Sequence, residues 1–236
     1  MTWSMIARDK ATGQFGIAVA TRFFAVGALV PHIAAGIGAI ATQALVNPYY
    51  GNDGLKLLRE GRSPHEVLKT VTAADAGRET RQLHLMDAGG RIASHTGSEC
   101  VDWCGHIEGR GFSIAGNMLA GGRVLDDTAA AYLANQSLPF ARRLIAAMRA
   151  GEAAGGDKRG RQSAALLIYG DEEWSDLDLR VDDHGDPLGE LERLEQVSRE
   201  RWVHFRKYVP TRKNPAGITD RAIIDAGIEA ALAGEK

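Results

Sequence analysis

The chain has 236 residues, of which 44% are apolar, so it can build one sizeable hydrophobic core or two small ones. Its net charge of −2, with both signs interspersed, is unlike the basic footprint of a nucleic-acid-binding protein. No run of about 18 apolar residues occurs, so we expect the chain neither to span a membrane nor to bind one.

The N-terminus lacks a basic region followed by an apolar run, so no secretory signal is expected. Two cysteines in a chain of this length do not make a disulfide framework, which predicts a reducing, cytoplasmic location. The 28 glycines cluster at the ends of apolar runs, as is typical of strands joined by tight turns.

The predicted elements follow from hydrophobic periodicity and turn residues. In chain order they are strands over 2–8, 14–22 and 36–43, helices over 53–60 and from 63 to before 77, strands over 80–87, 91–96 and 112–118, helices over 123–135 and 139–150, strands over 162–169 and 176–182, and helices over 189–205 and 219–232.

Two local patterns support this assignment. In the second strand, Ile17 and Val19 share one face, while Ala18 and Ala20 share the other, where such small residues let another layer or a ligand approach closely. The second helix opens on Ser63-Pro64-His65-Glu66, which is a capping box with proline at the first helical position.

The order of the elements predicts the fold class. Helices that arrive in pairs cannot supply the single crossover of each βαβ unit. We therefore predict an α+β fold, a four-layer αββα sandwich in which two mainly antiparallel sheets pack together with helices outside. The expected organisation is one domain over 1–188 and a C-terminal helical extension over 189–236, packed on the same domain.

Thr2 opens the first strand directly behind Met1. If Met1 is removed, the threonine hydroxyl and a free α-amine share one residue, and such a pair is a recognised way to activate a hydroxyl nucleophile. An α-amine titrates near pH 8, so part of it can accept a proton at neutral pH. The alternative is an ordinary second-position threonine.

Polar residues that end apolar strands are further candidates. Arg22 ends the second strand, either solvated or paired with a ligand or a side chain. Gln43 and Asn47 follow the third strand, and the Gln43 amide could stabilise an oxyanion if their loop lies beside Thr2. Both residues could instead cap the loop. Asn117, between Gly116 and Met118, could be a second oxyanion donor or a turn residue that tolerates positive φ.

The densest polar run is Gly155-Gly156-Asp157-Lys158-Arg159-Gly160-Arg161-Gln162-Ser163, directly before a buried strand. It does not match the pattern of a phosphate-binding loop. Asp157 could pair with Arg159 or Arg161 to orient a site, or either arginine could clamp a carboxylate substrate. A solvated loop is the alternative.

A metal site and other catalytic motifs have little support. Cys100, Cys104 and His106 could give three zinc ligands, but no second cluster completes a four-ligand site and no standard spacing matches. The sequence contains no nucleophile elbow, dinucleotide fingerprint or metalloprotease helix motif. We therefore expect no metal and no cofactor.

Several separated motifs resemble one bacterial family in their order along the chain. They are TWSMIARD (2–9), ATRFFAVG (20–27), ATQA (41–44), NP (47–48), GNML (116–119) and GGDKRGRQS (155–163). Together they are similar to the family catalogued as domain of unknown function 1028, over residue 2 to about residue 169. That family is grouped with the N-terminal nucleophile (Ntn) hydrolases, which have an αββα sandwich and include proteasome subunits and many amidohydrolases.

The resemblance implies that Thr2 is the mature N-terminus and the nucleophile, and it gives no substrate. Proteasome-like members carry a lysine shortly after the first hairpin, whereas residues 30–33 contain none here. Activation of the hydroxyl would then depend on the α-amine, tuned by Arg22 or Asp157.

Two functional hypotheses follow. In the first, the chain is an amidohydrolase with Thr2, Gln43, Asn117 and Asp157 in catalysis and with Arg22, Asn47, Arg159 and Arg161 binding a small, carboxylate-bearing amide. In the second, it is a non-catalytic sandwich that binds a small ligand or serves as an assembly subunit. A homo-oligomer is expected in either case.

Overall fold

The structure is a computed structural model that describes residues 2–234, and this range contains ten β-strands and seven α-helices. The strands are β1 (Thr2–Arg8), β2 (Phe15–Thr21), β3 (Pro31–Ala34), β4 (Gly38–Ala44), β5 (Arg81–Asp87), β6 (Ile92–Thr96), β7 (Gly105–Gly109), β8 (Phe112–Asn117), β9 (Ser163–Tyr169) and β10 (Leu177–Val181). The helices are α1 (Tyr49–Arg59), α2 (Pro64–Ala73), α3 (Arg123–Ala134), α4 (Phe140–Ala153), α5 (Pro187–Glu200), α6 (Trp202–Phe205) and α7 (Arg221–Gly234).

The strands form two sheets in which every pair of neighbours is antiparallel. One sheet has the order β10-β9-β2-β1-β8-β7, and the other has the order β3-β4-β5-β6. The predicted α+β class with two antiparallel sheets is therefore confirmed. Because β1 lies between β2 and β8, both of its edges are paired, which fixes the position of its first residue.

Three apolar clusters hold these elements together. One lies between the two sheets and includes Ile17, Val19 and Met86. A second joins the six-stranded sheet to α3, α4 and α5, and a third joins β4, β5 and β6 to α1 and α2. The alternation predicted for β2 is confirmed, because Ala18 and Ala20 belong to the cluster on the helix side. Small side chains there allow α4 to pack closely on the strand.

The observed helix ends agree only in part with the ends predicted from capping residues and periodicity. The capping box at Ser63 is present, with the Ser63 hydroxyl accepting from Glu66 N and the Glu66 carboxylate accepting from Ser63 N. The first helix begins at Tyr49 rather than at residue 53, because the Asn47 side chain accepts from Tyr49 N and starts the turn earlier. The predicted helix over 189–205 is wrong in its extent, since non-helical backbone at Arg201 separates α5 from α6.

Two strands were missed. β3 is short and begins at Pro31, so its periodicity is too brief to recognise. β7 overlaps the end of the segment 100–106 that contains the candidate zinc ligands, and two of its five residues are glycine. Both strands are edges of their sheets, where only one neighbour stabilises the conformation.

The predicted boundary after residue 188 falls inside α5. Leu188 and Leu191, on either side of it, are fully buried in the same apolar cluster as β1 and α4. The division into a domain and an extension stays a prediction.

Candidate functional site at the Thr2 end of the sandwich

Three strand ends meet at Thr2. It is the first residue of β1, it pairs across the sheet with Asn117 at the end of β8, and its neighbour Trp3 pairs with Ala20 of β2. Thr2 is only 6% exposed, and its Oγ1 donates a hydrogen bond to Thr21 Oγ1 at 3.2 Å. The position at a strand end predicted from the sequence is confirmed, and the hydroxyl contact is an addition to it.

Two side-chain amides point at the backbone oxygen of Thr2. Gln43 Nε2 lies 3.3 Å from this oxygen, and Asn117 Nδ2 lies 3.4 Å from it. Gln43 Nε2 also donates to Ala115 O at 3.1 Å and to Gln82 Oε1 at 2.8 Å, while Asn117 Nδ2 donates to the same Gln82 oxygen at 2.9 Å. The structure thus brings the side chains of Gln43 and Asn117 to Thr2.

Gln82 is the centre of this network, and the sequence analysis did not select it. Its oxygen accepts both amides, and its Nε2 donates to Gly116 O at 2.8 Å, Thr96 Oγ1 at 3.0 Å and Gly105 O at 3.1 Å. A signal was available, because Gln82 and His84 occupy alternate positions of one strand and so share a face. That face points at the other sheet rather than at solvent.

His84 extends the buried network. Its Nε2 lies 2.8 Å from Ser4 Oγ and its Nδ1 lies 2.8 Å from Ser113 Oγ. Burial, assisted by the charge of His106, lowers the pKa of His84 to about 3, so the ring is neutral at physiological pH. Ser4 donates its single proton to Gln43 Oε1 at 2.6 Å, so this bonding pattern assigns the His84 proton to Nε2 and makes Nδ1 an acceptor from Ser113.

Asp157 fastens the glycine-rich loop of residues 155–162 to the end of β2. Its Oδ2 accepts from Arg22 N at 2.7 Å, and its Oδ1 accepts from Arg159 N at 2.9 Å. The carboxylate also forms an ion pair with the Arg159 guanidinium at 3.2 Å, with the Asp157 side chain fully buried. Since Arg22 directly follows Thr21, this carboxylate holds the loop beside the Thr2–Thr21 pair.

A cavity of about 240 Å³ lies under this loop. Its lining includes Thr21, Asp157, Arg161 and Glu152, together with Trp3 and three loop glycines. Glu152 Oε1 lies 3.3 Å from Arg161 Nε, and burial raises the pKa of the Glu152 carboxyl. Gly155 has φ +118°, and an added Cβ there would lie 2.5 Å from Ala120 Cβ, so a side chain would collide with the neighbouring segment.

The predicted substrate-binding residues separate into two groups. Arg22 is exposed at the end of β2, and Arg159 and Arg161 lie on the loop whose Asp157 accepts from Arg22 N. Asn47 does not join them. Its Nδ2 donates to Asp75 Oδ2 at 3.1 Å, in a separate cluster with Tyr50 and Arg81.

The physical reason is the path of the chain after β4. Ala44 has φ +70°, and the backbone turns there toward α1. Asp75 Oδ2 accepts from Tyr50 at 2.9 Å and from Arg81 Nε at 3.0 Å, and these hydrogen bonds keep the Asp75 carboxyl ionised by holding its pKa far below the ordinary value. Asn47 therefore belongs to the contacts that fasten the loop onto the turn that follows α2.

The possible zinc ligands are not arranged around a common point. Cys100 Sγ donates to Arg81 O at 3.3 Å, and His106 Nδ1 lies 3.0 Å from Thr96 Oγ1. Burial raises the pKa of the Cys100 thiol to about 11. Among residues 2–234, no group of three or more His, Cys, Asp or Glu side chains is placed to hold a metal ion.

In the part of the chain that the structure describes, no helix is long and apolar enough to cross a bilayer. Met1, whose removal the predicted role of Thr2 requires, lies outside the described residues.

Fold and site together define an α+β protein with two antiparallel sheets and a buried polar network where β1 begins. The chain belongs to a family of unknown function, DUF1028, whose model matches residues 2–191. A crystal structure of protein SPO2555 from Silicibacter pomeroyi, described as DUF1028, is 35% identical with a TM-score of 0.87, covering 93% of this chain and 96% of that chain.

A second solved structure is much more distant. Anbu (ancestral beta-subunit) from Yersinia bercovieri is 12% identical over 83% of this chain and 96% of that chain. Its TM-score of 0.41 is too low to establish a common fold. No match was found among curated proteins.

Proposed function

We propose that this protein is an N-terminal-threonine amidohydrolase with the four-layer αββα sandwich of the Ntn hydrolases. The observation that carries the proposal is the placement of Thr2. It opens a strand paired on both sides, it is nearly buried, and its hydroxyl is hydrogen-bonded at a point where two other strand ends and the glycine-rich loop converge. The proposal requires that Met1 be removed.

The proposed reaction uses the α-amine of Thr2 as its own base. Thr2 Oγ1 attacks the carbonyl carbon of an amide, a C–O bond forms, and the hydroxyl proton moves to the amine. The resulting ammonium gives this proton to the leaving nitrogen as the C–N bond breaks, which leaves an ester on Thr2. Water then adds to the ester, its proton passes through the amine, and the C–O bond breaks to restore the Thr2 hydroxyl.

Asn117 is the better of the two predicted oxyanion donors. One Nδ2 proton is committed to Gln82 at 2.9 Å, whereas the contact to Thr2 O is 3.4 Å, longer than an ordinary N–H···O bond. A small rotation of the Asn117 amide would redirect the second Nδ2 proton, the one near Thr2 O, to a developing oxyanion. Gln43 Nε2 shares its two protons among three protein acceptors, so we propose that it positions the Thr2 backbone.

The cavity beside Thr21 is the proposed substrate pocket. At about 240 Å³ it lies below the usual range for drug-sized ligands, which favours a small acyl group. Arg161 on its wall, with Arg22 and Arg159 nearby, favours a substrate that carries a carboxylate, because guanidinium groups bind carboxylates in a bidentate manner. Asp157 would hold these groups in register with Thr2.

The test is turnover of a panel of small amides and dipeptides, with and without a terminal carboxylate. Intact mass should show the loss of Met1 in active protein. Thr2→Ala should abolish turnover, whereas Thr2→Ser, the matched control, should retain part of it because serine keeps the hydroxyl. Mass analysis should find an acyl adduct on Thr2. Full activity in Thr2→Ala, or active protein that retains Met1, would rule out this mechanism.

A second candidate function is a non-catalytic small-ligand or assembly protein. It is favoured by the completeness of the network, since the Gln43 amide already has protein acceptors for both of its protons. Calorimetric binding of a carboxylate-bearing amide that is recovered unhydrolysed would support this function. A homo-oligomer stays a prediction under both functions.

A further inference from the structure

We infer that the Thr21 hydroxyl is a positioning group that orients the Thr2 nucleophile, an inference that rests on the proposed function. Thr21 is not among the site residues predicted from the sequence. The structure places its Oγ1 3.2 Å from Thr2 Oγ1, as the acceptor of the Thr2 hydroxyl proton. This contact reaches the atom that would attack the substrate.

The backbone on both sides of Thr21 is fastened. Thr21 O accepts from Gln162 N at 3.0 Å, and the next residue, Arg22, donates its backbone N–H to Asp157 at 2.7 Å. Thr21 also pairs with Ser163 in the β2–β9 ladder, and its side chain is 2% exposed. The hydroxyl therefore has little freedom to move away from Thr2.

The side-chain type suits this role. A β-branched residue has few accessible χ1 rotamers, so a threonine holds its oxygen more firmly than a serine does. A neutral hydroxyl accepts a hydrogen bond without removing the proton at neutral pH. Thr21 would thus hold Thr2 Oγ1 in one position, and in the chemical step the Thr2 proton leaves this hydrogen bond for the α-amine, which remains the base.

A positioning role predicts an effect on the chemical step rather than on ligand binding. Loss of the acceptor would remove this hydrogen bond from the Thr2 hydroxyl, and misorientation of a reacting group can cost about 100-fold in rate. Affinity for a reagent in the adjacent cavity should stay unchanged, because the cavity keeps its shape when one hydroxyl is replaced by a methyl group.

The experiment measures sulfonylation of Thr2 by methanesulfonyl fluoride, a small electrophile. In this reaction Thr2 Oγ1 attacks sulfur, an O–S bond forms, the S–F bond breaks, and fluoride leaves as the α-amine takes the proton. Peptide mass analysis locates the adduct. The dependence of the rate on reagent concentration gives the maximal inactivation rate constant and the half-saturating concentration separately.

Thr21→Val should lower the maximal inactivation rate constant by about 10- to 100-fold without changing the half-saturating concentration. Thr21→Ser, which keeps the hydroxyl, should recover most of the rate. Thermal melting of each variant checks the fold. If Thr21→Val does not fold, Thr21→Ala compared with Thr21→Ser gives the same contrast.

The possible results separate this inference from the proposed function. If wild-type protein lacking Met1 is not modified at Thr2, the proposed function fails, and this inference fails with it. If Thr2 is modified at the same rate in wild type and in the variants without a hydroxyl, the proposed function stands and the role of Thr21 is overturned. A change confined to the half-saturating concentration would also overturn it.

Discussion

The space between the two sheets has a polar half and an apolar half, both closed to solvent. Near Thr2 it holds Ser4, Gln43, Gln82, His84 and Ser113, each 0–1% exposed. Elsewhere between the same two sheets it holds an apolar set, Ile6, Phe15, Ile17, Val19, Ala39 and Met86, also 0–1% exposed. The same pair of sheets therefore carries two different kinds of interior.

The two halves stabilise the fold in different ways. Apolar side chains gain free energy from burial in proportion to area, with little dependence on direction. Buried polar groups lose their hydrogen bonds to water, and only protein hydrogen bonds of good geometry compensate for that loss. The polar half thus fixes orientations, including that of the Thr2 backbone, and the apolar half supplies the driving force. We expect matched substitutions in the two halves to change the free energy of unfolding by different amounts.

The largest difference should appear along β5, where Gln82 and Met86 face the same gap. Gln82→Leu should lower the free energy of unfolding by about 4 kcal/mol or more, because two backbone carbonyls and two amides lose a partner at ~1–3 kcal/mol each. Met86→Leu, the matched control, should cost below about 1.5 kcal/mol. Urea denaturation measures both. Equal losses would show that the polar half is no more demanding than the apolar half.

An effect of intermediate size on the free energy of unfolding should come from His84 at acidic pH. The pKa of His84 is lowered to about 3 in the folded state, against 6.5 for an unperturbed histidine, so the unfolded chain binds the proton first. Its contribution to stability is complete above pH 6.5 and is lost as the pH falls toward 3. Between pH 6.5 and 5 we expect a loss of about 2 kcal/mol, from ~1.4 kcal/mol per pH unit.

The control for this prediction is His84→Gln, which removes the titrating group. Its stability at neutral pH should be lower, but its decline between pH 6.5 and 5 should be smaller by the amount assigned to His84. Guanidinium chloride denaturation at several pH values gives both curves. Parallel pH dependences in the two proteins would contradict a neutral, buried His84.

The smallest difference should be found between Ser113 and Ile6, which face each other across β1 and β8. Ser113→Ala leaves His84 Nδ1 without a donor and should cost about 1–2 kcal/mol. Ile6→Val removes one buried methylene and should cost about 1 kcal/mol. Nitrogen chemical shifts of His84 sharpen the comparison, because only Ser113→Ala should alter the environment of Nδ1. An unchanged Nδ1 signal would argue against the assigned hydrogen bond.

Much of the site was predictable from local patterns, and the remainder depended on long-range contacts. Thr2, Gln43 and Asn117 each stand at the end of an apolar strand, and the structure gathers them at one end of the sheets. Asn47 has the same local signal, but Asp75, 28 residues away, holds it elsewhere. Gln82 and His84 were overlooked because alternation predicts which residues share a face, not whether that face meets solvent or another sheet.

The sequence by itself determined the elements that depend on neighbouring residues: the hairpin of β1 and β2, the capping box at Ser63, the paired helices and the two-faced pattern of Ile17 and Ala18. Their conformations follow from local sterics, capping and periodicity. Only the tertiary structure decided that Thr21 would meet Thr2 and that Gln82 would join the amides of Gln43 and Asn117. These contacts join residues that lie between 19 and 39 positions apart. Strand pairing within a sheet brings Thr21 to Thr2 and Gln82 to Gln43, and packing of the two sheets brings Gln82 to Asn117.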